Sequence, residues 1–167
     1  SKIYSEDEFP DSLKNEEIVD YGDSLILPGL IDMHLHAPQF AFRGLGMDME
    51  LLDWLNTYTF PEEAKYKDIE YAKKAYKKFV DALTKSYSTR AIVFATLHTD
   101  ATILLMDMLE ESGLKCFVGK VNMDRNSTDE LIETTKSSID STVKWLDICK
   151  DRYKNIKPII TPRFIPS

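Results

Sequence analysis

The run Leu25-Ile-Leu-Pro-Gly-Leu-Ile-Asp-Met-His34-Leu-His36-Ala37 is an apolar stretch that closes on two histidines one residue apart. Its length and its Leu and Ile content predict a strand over 25–36 covered on both faces, as in a parallel sheet. Successive side chains of a strand point to opposite faces, which puts His34 and His36 on one face and Met33 and Leu35 on the other. Two imidazoles then converge on one point, and neutral imidazole is a common ligand for zinc and other transition metals. The plainer alternative is a pair of ordinary polar residues where a strand leaves the core.

Working outward, residues 1–24 are charged and weakly patterned and read as a loop followed by a short strand. Residues 37–66 read as a long connection with little periodicity, and such a loop inside a compact domain is usually functional. The segment Phe42-Arg-Gly-Leu-Gly46 lacks the third glycine and the Gly-Lys-Ser/Thr of a phosphate cradle, so a lid carrying Trp54 is the better reading. From Asp68 to about Lys85, Ile69, Ala72, Tyr76, Phe79 and Leu83 recur at helical spacing opposite Lys73, Lys74, Lys77 and Lys78, the pattern of an amphipathic helix with a solvated basic face. Strand-like runs follow at 89–97, 115–122 and 156–164. A helix from Thr99-Asp100 ends at Gly113. Ser127-Thr-Asp-Glu130 is a capping-box pattern for another helix, with Ile132, Thr135, Ile139, Leu146 and Cys149 inward.

Strand and helix thus alternate through four βα units around a parallel sheet. A closed eight-stranded barrel needs about 200 residues or more, so the expected fold is α/β, half of a (β/α)8 TIM-like barrel, with a remnant of a small β-domain at 1–24 and the four units at 25–167. Half a barrel leaves open strand edges and an exposed apolar face. A chain that starts at Ser1 in an acidic segment and stops at Ser167 just after a strand-like run also suggests a piece of something longer.

The formal charge of −7 over 167 residues argues against nucleic acid or an anionic membrane as partner, since phosphate surfaces need a cationic patch; a small neutral substrate fits better. No apolar run reaches the length of a membrane span, and the N-terminus has no signal-peptide order. Cys116 and Cys149 form no Cys-x-x-Cys pair, so reduced buried thiols in a cytoplasmic protein are expected.

In βα architectures ligands sit at the carboxyl ends of the strands, here His34-Leu-His36, Leu97-His98-Thr99, Val121-Asn122-Met123 and Thr161-Pro-Arg163-Phe164. His98 could complete a metal triad, but its place before Thr99-Asp100 favours a structural role at a helix start. Arg163 could meet a carbonyl or carboxylate of a substrate, or form a surface salt bridge. Gln39 can donate and accept, and so could read an amide edge.

Leu-Pro-Gly-Leu-Ile-Asp-x-His-x-His over 27–36 resembles the first-strand metal motif of the amidohydrolase superfamily. With Pro38-Gln39, Leu51-Leu-Asp-Trp-Leu-Asn-Thr-Tyr-Thr-Phe-Pro61, Phe94-Ala-Thr-Leu-His-Thr-Asp100, Phe117-Val-Gly-Lys-Val-Asn-Met-Asp124 and Thr161-Pro-Arg-Phe164, the chain is similar to the guanine deaminase family from about Asp20 to Phe164. The resemblance implies that His34 and His36 bind zinc, that Gln39 binds the amide edge of a purine, and that Arg163 and Phe164 contact guanine. It implies hydrolysis of the 2-amino group to give xanthine and ammonia, with the remaining metal ligands and the proton-shuttling glutamate beyond Ser167. It further implies a homodimer for the whole protein, on which the residues themselves are silent. The other readings are a different amidohydrolase, acting on a triazine or an adenosine-type base, and a non-catalytic βα domain with an incidental His-x-His. A cytidine-deaminase type of zinc site is excluded, because His-x-Glu with Pro-Cys-x-x-Cys is lacking.

Overall fold

Alternating Ala91, Val93 and Ala95 on one strand and Cys116 and Val118 on the next all turn to the same side, where each is at most 2% exposed. That side is covered by helices, and it holds the main core. The computed structural model of the protein describes residues 2–163, so Phe164 lies outside the described residues. The strands are β1 (Leu30–His36), β2 (Ser88–Phe94), β3 (Lys115–Gly119), β4 (Val121–Asn122), β5 (Lys157–Pro158) and β6 (Thr161–Pro162). β1, β2, β3 and β5 form one parallel sheet in that order, and β4 and β6 pair separately in parallel. The helices are α1 (Leu51–Trp54), α2 (Phe60–Ala64), α3 (Ile69–Thr84), α4 (Thr99–Ser112) and α5 (Thr135–Cys149). None of the described helices is long and apolar enough to cross a membrane.

The long helices form where the sequence supplies caps. The Asp68 carboxylate accepts from the N–H groups of Glu70 and Tyr71 at the head of α3, satisfying two of the donors a helix start leaves unpaired. Gly113 ends α4 at φ 78°, a left-handed conformation that costs glycine nothing. Tyr76, Phe79, Leu105, Met106, Leu109 and Trp145 of α3, α4 and α5 close over the sheet. The lysines of α3 are exposed, as its period requires.

Several expectations are corrected. The first strand starts at Leu30, because Leu30 pairs with Ser88 at the head of β2 and the strand pairing does not extend back into 25–29. It is also not covered on both faces: Leu30, Ile31 and Met33 are 57–70% exposed, since β1 is an edge strand and the helices lie on one side only. Between the pairs Asp32/Ala91 and Leu35/Val93, β1 holds one residue more than β2. This bulge alters the simple alternation: Met33 lines an open hollow of about 420 Å³ with Ile31, Ile92 and Phe117, while Leu35 packs against the helix-covered core.

Residues 2–29 contain turns of 3₁₀ helix at Glu6–Glu8 and Asp11–Leu13 and no strand. Residues 51–67 are not a loop but continuous helical turns: α1, a π-turn at Leu55–Thr59, α2, and a 3₁₀ turn at Lys65–Lys67. Pro61 is tolerated because it sits in the first turn of α2. The helix at 135–149 is capped by Thr134, whose side chain accepts from the N–H of Ser137, and not by the 127–130 box. Its inward face carries Ser138, Trp145 and Cys149, while Ile139 and Val143 are more than half exposed and Ile132 is 45% exposed. Polar residues turn in here because Asn122 of β4 donates to Ser138 Oγ and Thr142 Oγ1, both at 2.8 Å.

The final strand splits into β5 and β6, and the 115–122 strand into β3 and β4. Gly119 permits this crossing, for a Cβ there would stand 2.1 Å from Thr161 Oγ1, the hydroxyl that donates to the Lys120 carbonyl at 2.9 Å.

Candidate active site

His34 and His36 do converge. Their Nε2 atoms are 3.2 Å apart and the ring centroids 5.0 Å apart. The bulge in β1 and the register of His36 with Phe94 of β2 bring both rings onto one aromatic surface, Phe94, at 5.0 Å for His34 and 4.6 Å for His36. Two nitrogens bound about 2.0–2.1 Å from one tetrahedral ion sit about 3.3–3.4 Å apart, so this spacing fits a shared metal. Burial above all, then the charge of Arg163 and then His34, pushes His36 from 6.5 down to about 3. The ring is therefore neutral near pH 7 and keeps a lone pair for a metal. Its Nδ1 is buried with no hydrogen-bond partner among the described residues.

His98 does not join the pair. It occupies the position before α4, where its carbonyl accepts from the N–H and the hydroxyl of Thr102, both at 3.0 Å. Among the described residues no group of three His, Cys, Asp or Glu side chains could hold a metal ion.

Arg163 forms an ion pair, but a buried one and not the surface bridge considered from sequence. Its Nη1 lies 2.8 Å and 2.7 Å from the two carboxylate oxygens of Glu63, and both side chains are 3% exposed. The guanidinium carbon lies 5.8 Å from the ring centre of Phe60, and the Arg163 N–H donates to the Asn122 carbonyl at 3.2 Å. Gln39, in the 3₁₀ turn Ala37–Phe42 that follows β1, lies within electrostatic reach of the same Glu63 carboxylate. Burial pushes the Glu63 carboxyl upward, and Arg163 and Gln39 pull against it. Gln39, Glu63 and Arg163 thus form one cluster, and Arg163 acts electrostatically on His36.

Such a pair is poor as a stability device. Two buried charges gain little net over apolar side chains of similar size, whereas removing one partner costs about 3–5 kcal/mol. Its position beside a histidine pair is therefore informative.

Trp54 is fixed in place rather than carried on a loose lid: its indole N–H donates to the Leu45 carbonyl at 3.0 Å and its ring packs 5.5 Å from Phe42. It belongs to a second apolar cluster around Leu55, Phe60 and Met123, to whose edge Phe94 also packs.

Glu63 and Phe60 are the site residues that reading from sequence missed. Both stand in Phe60-Pro-Glu-Glu63, and the signal was a pair of carboxylates in the first turn of a helix beside an aromatic. Asn122, at a strand end pointed to from sequence, is tied to α5 instead.

The profile of the Amidohydrolase family matches residues 25–164. The guanine deaminase of Dictyostelium discoideum is 42% identical over 155 residues, covering 92% of this chain and 34% of the relative. That of Homo sapiens is 44% identical over 140 residues, covering 83% and 31%. A crystal structure of guanine deaminase from C. acetobutylicum with guanine bound in the active site superposes with a TM-score of 0.92 at 49% identity, covering 96% of this chain and 38% of that one. The chain thus spans about a third of the length of the curated relatives it matches.

Proposed function

This chain belongs to the amidohydrolase family, and from that premise we propose that it is the N-terminal part of a zinc-dependent guanine deaminase. The reaction is guanine plus water to xanthine plus ammonia, a step of purine breakdown, in a cytoplasmic enzyme, which the buried free thiols Cys116 and Cys149 fit. The observation that carries the reading is the Gln39–Glu63–Arg163 cluster within electrostatic reach of His36.

His34 and His36 would hold the zinc, which when bound supplies a water whose pKa is lowered toward about 7. The chain's own residues bind and orient. Arg163 offers N–H donors to the carbonyl oxygen of the purine, and Gln39 reads the neighbouring ring amide. The aromatic cluster with Phe60 and Trp54 excludes water from the base, which strengthens each of these hydrogen bonds. The relatives whose similarity supports the substrate assignment are named for guanine deamination.

Xanthine formation from guanine, measured on the complete polypeptide alongside zinc content, tests the proposal. Turnover with bound zinc is expected, and the 167-residue chain alone should give none, because two imidazoles fall short of the three protein ligands of a catalytic zinc. A metal-free active enzyme, or turnover of a triazine or an adenosine-type base with none of guanine, overturns it.

A further inference from the structure

Glu63 is 2% exposed, forms its ion pair with Arg163 in the interior, and gains the fold little over a pair of apolar side chains of similar size. What it does have is a direct ion pair with Arg163, assigned above to reading the base. We infer that Glu63 is the positioning residue that aims Arg163 at the base: its carboxylate holds Nη1 of Arg163 with both oxygens and leaves the other guanidinium N–H groups as donors for the ligand.

The inference rests on the guanine deaminase reading and deepens it. An ionised carboxylate only accepts. With both oxygens engaged by Nη1 of Arg163, the carboxylate holds the guanidinium in one orientation. Without the carboxylate the guanidinium is free to turn away from the base. The donors so fixed complement a base edge that carries a carbonyl oxygen, as guanine does at C6. 2-Aminopurine keeps the amino group of guanine but has no carbonyl, and its N1 is a bare acceptor. A site with this polarity leaves buried partners unpaired when it takes 2-aminopurine, the situation in which discrimination is strongest.

The experiment compares the complete zinc-loaded enzyme with its Glu63→Gln and Glu63→Asp variants. The readouts are KM and kcat for guanine and the inhibition constant of 2-aminopurine, with melting temperature recorded for each protein. In Glu63→Gln the KM for guanine is expected to rise about 10- to 100-fold, the loss of one or two charge-assisted hydrogen bonds. kcat should change much less, and 2-aminopurine should bind within about twofold of its original affinity. Glu63→Asp, which keeps the carboxylate, should recover part of the guanine affinity. A guanine KM within twofold of the original overturns the inference, as does an equal loss of affinity for both bases, which is the mark of a merely structural role. Should Glu63→Gln not fold, Glu63→Asp decides, and an unchanged ratio of the two constants overturns the inference. Failure of the unaltered enzyme to deaminate guanine is separate, and counts against the proposed function itself.

Discussion

His36 lies on the face of Phe94, with ring centroids 4.6 Å apart and planes within 20°, while its Nδ1 has no hydrogen-bond partner among the described residues. A metal-binding histidine is ordinarily aimed by a hydrogen bond to its second nitrogen. Here a benzene ring lies behind the imidazole instead, and the same ring supports His34 at 5.0 Å. Phe94→Ala should therefore weaken the zinc binding proposed for His34 and His36 by about 10- to 100-fold, the usual cost of losing the support behind a ligand. Phe94→Leu, which keeps bulk but not the flat surface, should lose less. Competition with a chromophoric chelator measures this, and unchanged zinc affinity in Phe94→Ala would show the rings to be held by something else.

The strand tip and the βα alternation were legible in the sequence because both depend on short-range patterns: the apolar run to His36, the Asp68 cap, the Gly113 stop. The helical turns at 51–67 were not. Their inward positions include Thr59, Glu62 and Glu63, and the π-turn at Leu55–Thr59 shifts the phase of whatever apolar period remains. The inward face of α5 was misread for a related reason. Ser138 and Thr142 are turned in by hydrogen bonds to Asn122, a residue 16 and 20 positions away, and no local pattern announces that. Arg163 was visible as a candidate, but its partner lies 100 residues earlier, so its burial could only come from the fold.

Glu110, on α4, clamps the approach to β5. Its carboxylate accepts from the backbone N–H groups of Lys154 at 3.1 Å, Asn155 at 2.9 Å and Ile156 at 3.0 Å. Desolvation pushes its carboxyl up, but the donors from Asn155, Lys154 and Ile156 and the charge of Lys157 together outweigh that, and the group sits below its ordinary value of 4.5. A carboxyl whose folded value is depressed binds its proton more readily in the unfolded chain. Its contribution is thus complete above about 4.5 and is lost as the pH falls below that. Urea unfolding across pH 3–7 should show this slope in the original protein and a shallower one in Glu110→Gln. Identical slopes would mean that the three N–H groups gain nothing from the charge.

Lys120 stands at the junction of β3 and β4 with a fully buried side chain, its Nζ 3.3 Å and 3.4 Å from the Glu133 oxygens and 3.2 Å from the Val121 carbonyl. Burial pushes its ammonium below the ordinary lysine range, and Glu133 pulls it back up. Glu133→Gln removes that pull while the charge stays buried, and should cost about 3 kcal/mol at pH 7. Lys120→Met removes the charge itself and fills the same space. It should fall within about 1 kcal/mol of the original, because Glu133 is 11% exposed and can reach water. The pH dependence separates this from a packing effect. A lysine depressed in the folded state is penalised most at low pH, and the penalty is relieved as the pH rises through its folded value toward the unfolded one near 10.4. Glu133→Gln should accordingly regain stability between pH 7 and 9.5 relative to the original protein, as read by urea unfolding at both. A deficit that stays constant with pH would show that Glu133 supports the 120–133 segment by shape and not by charge.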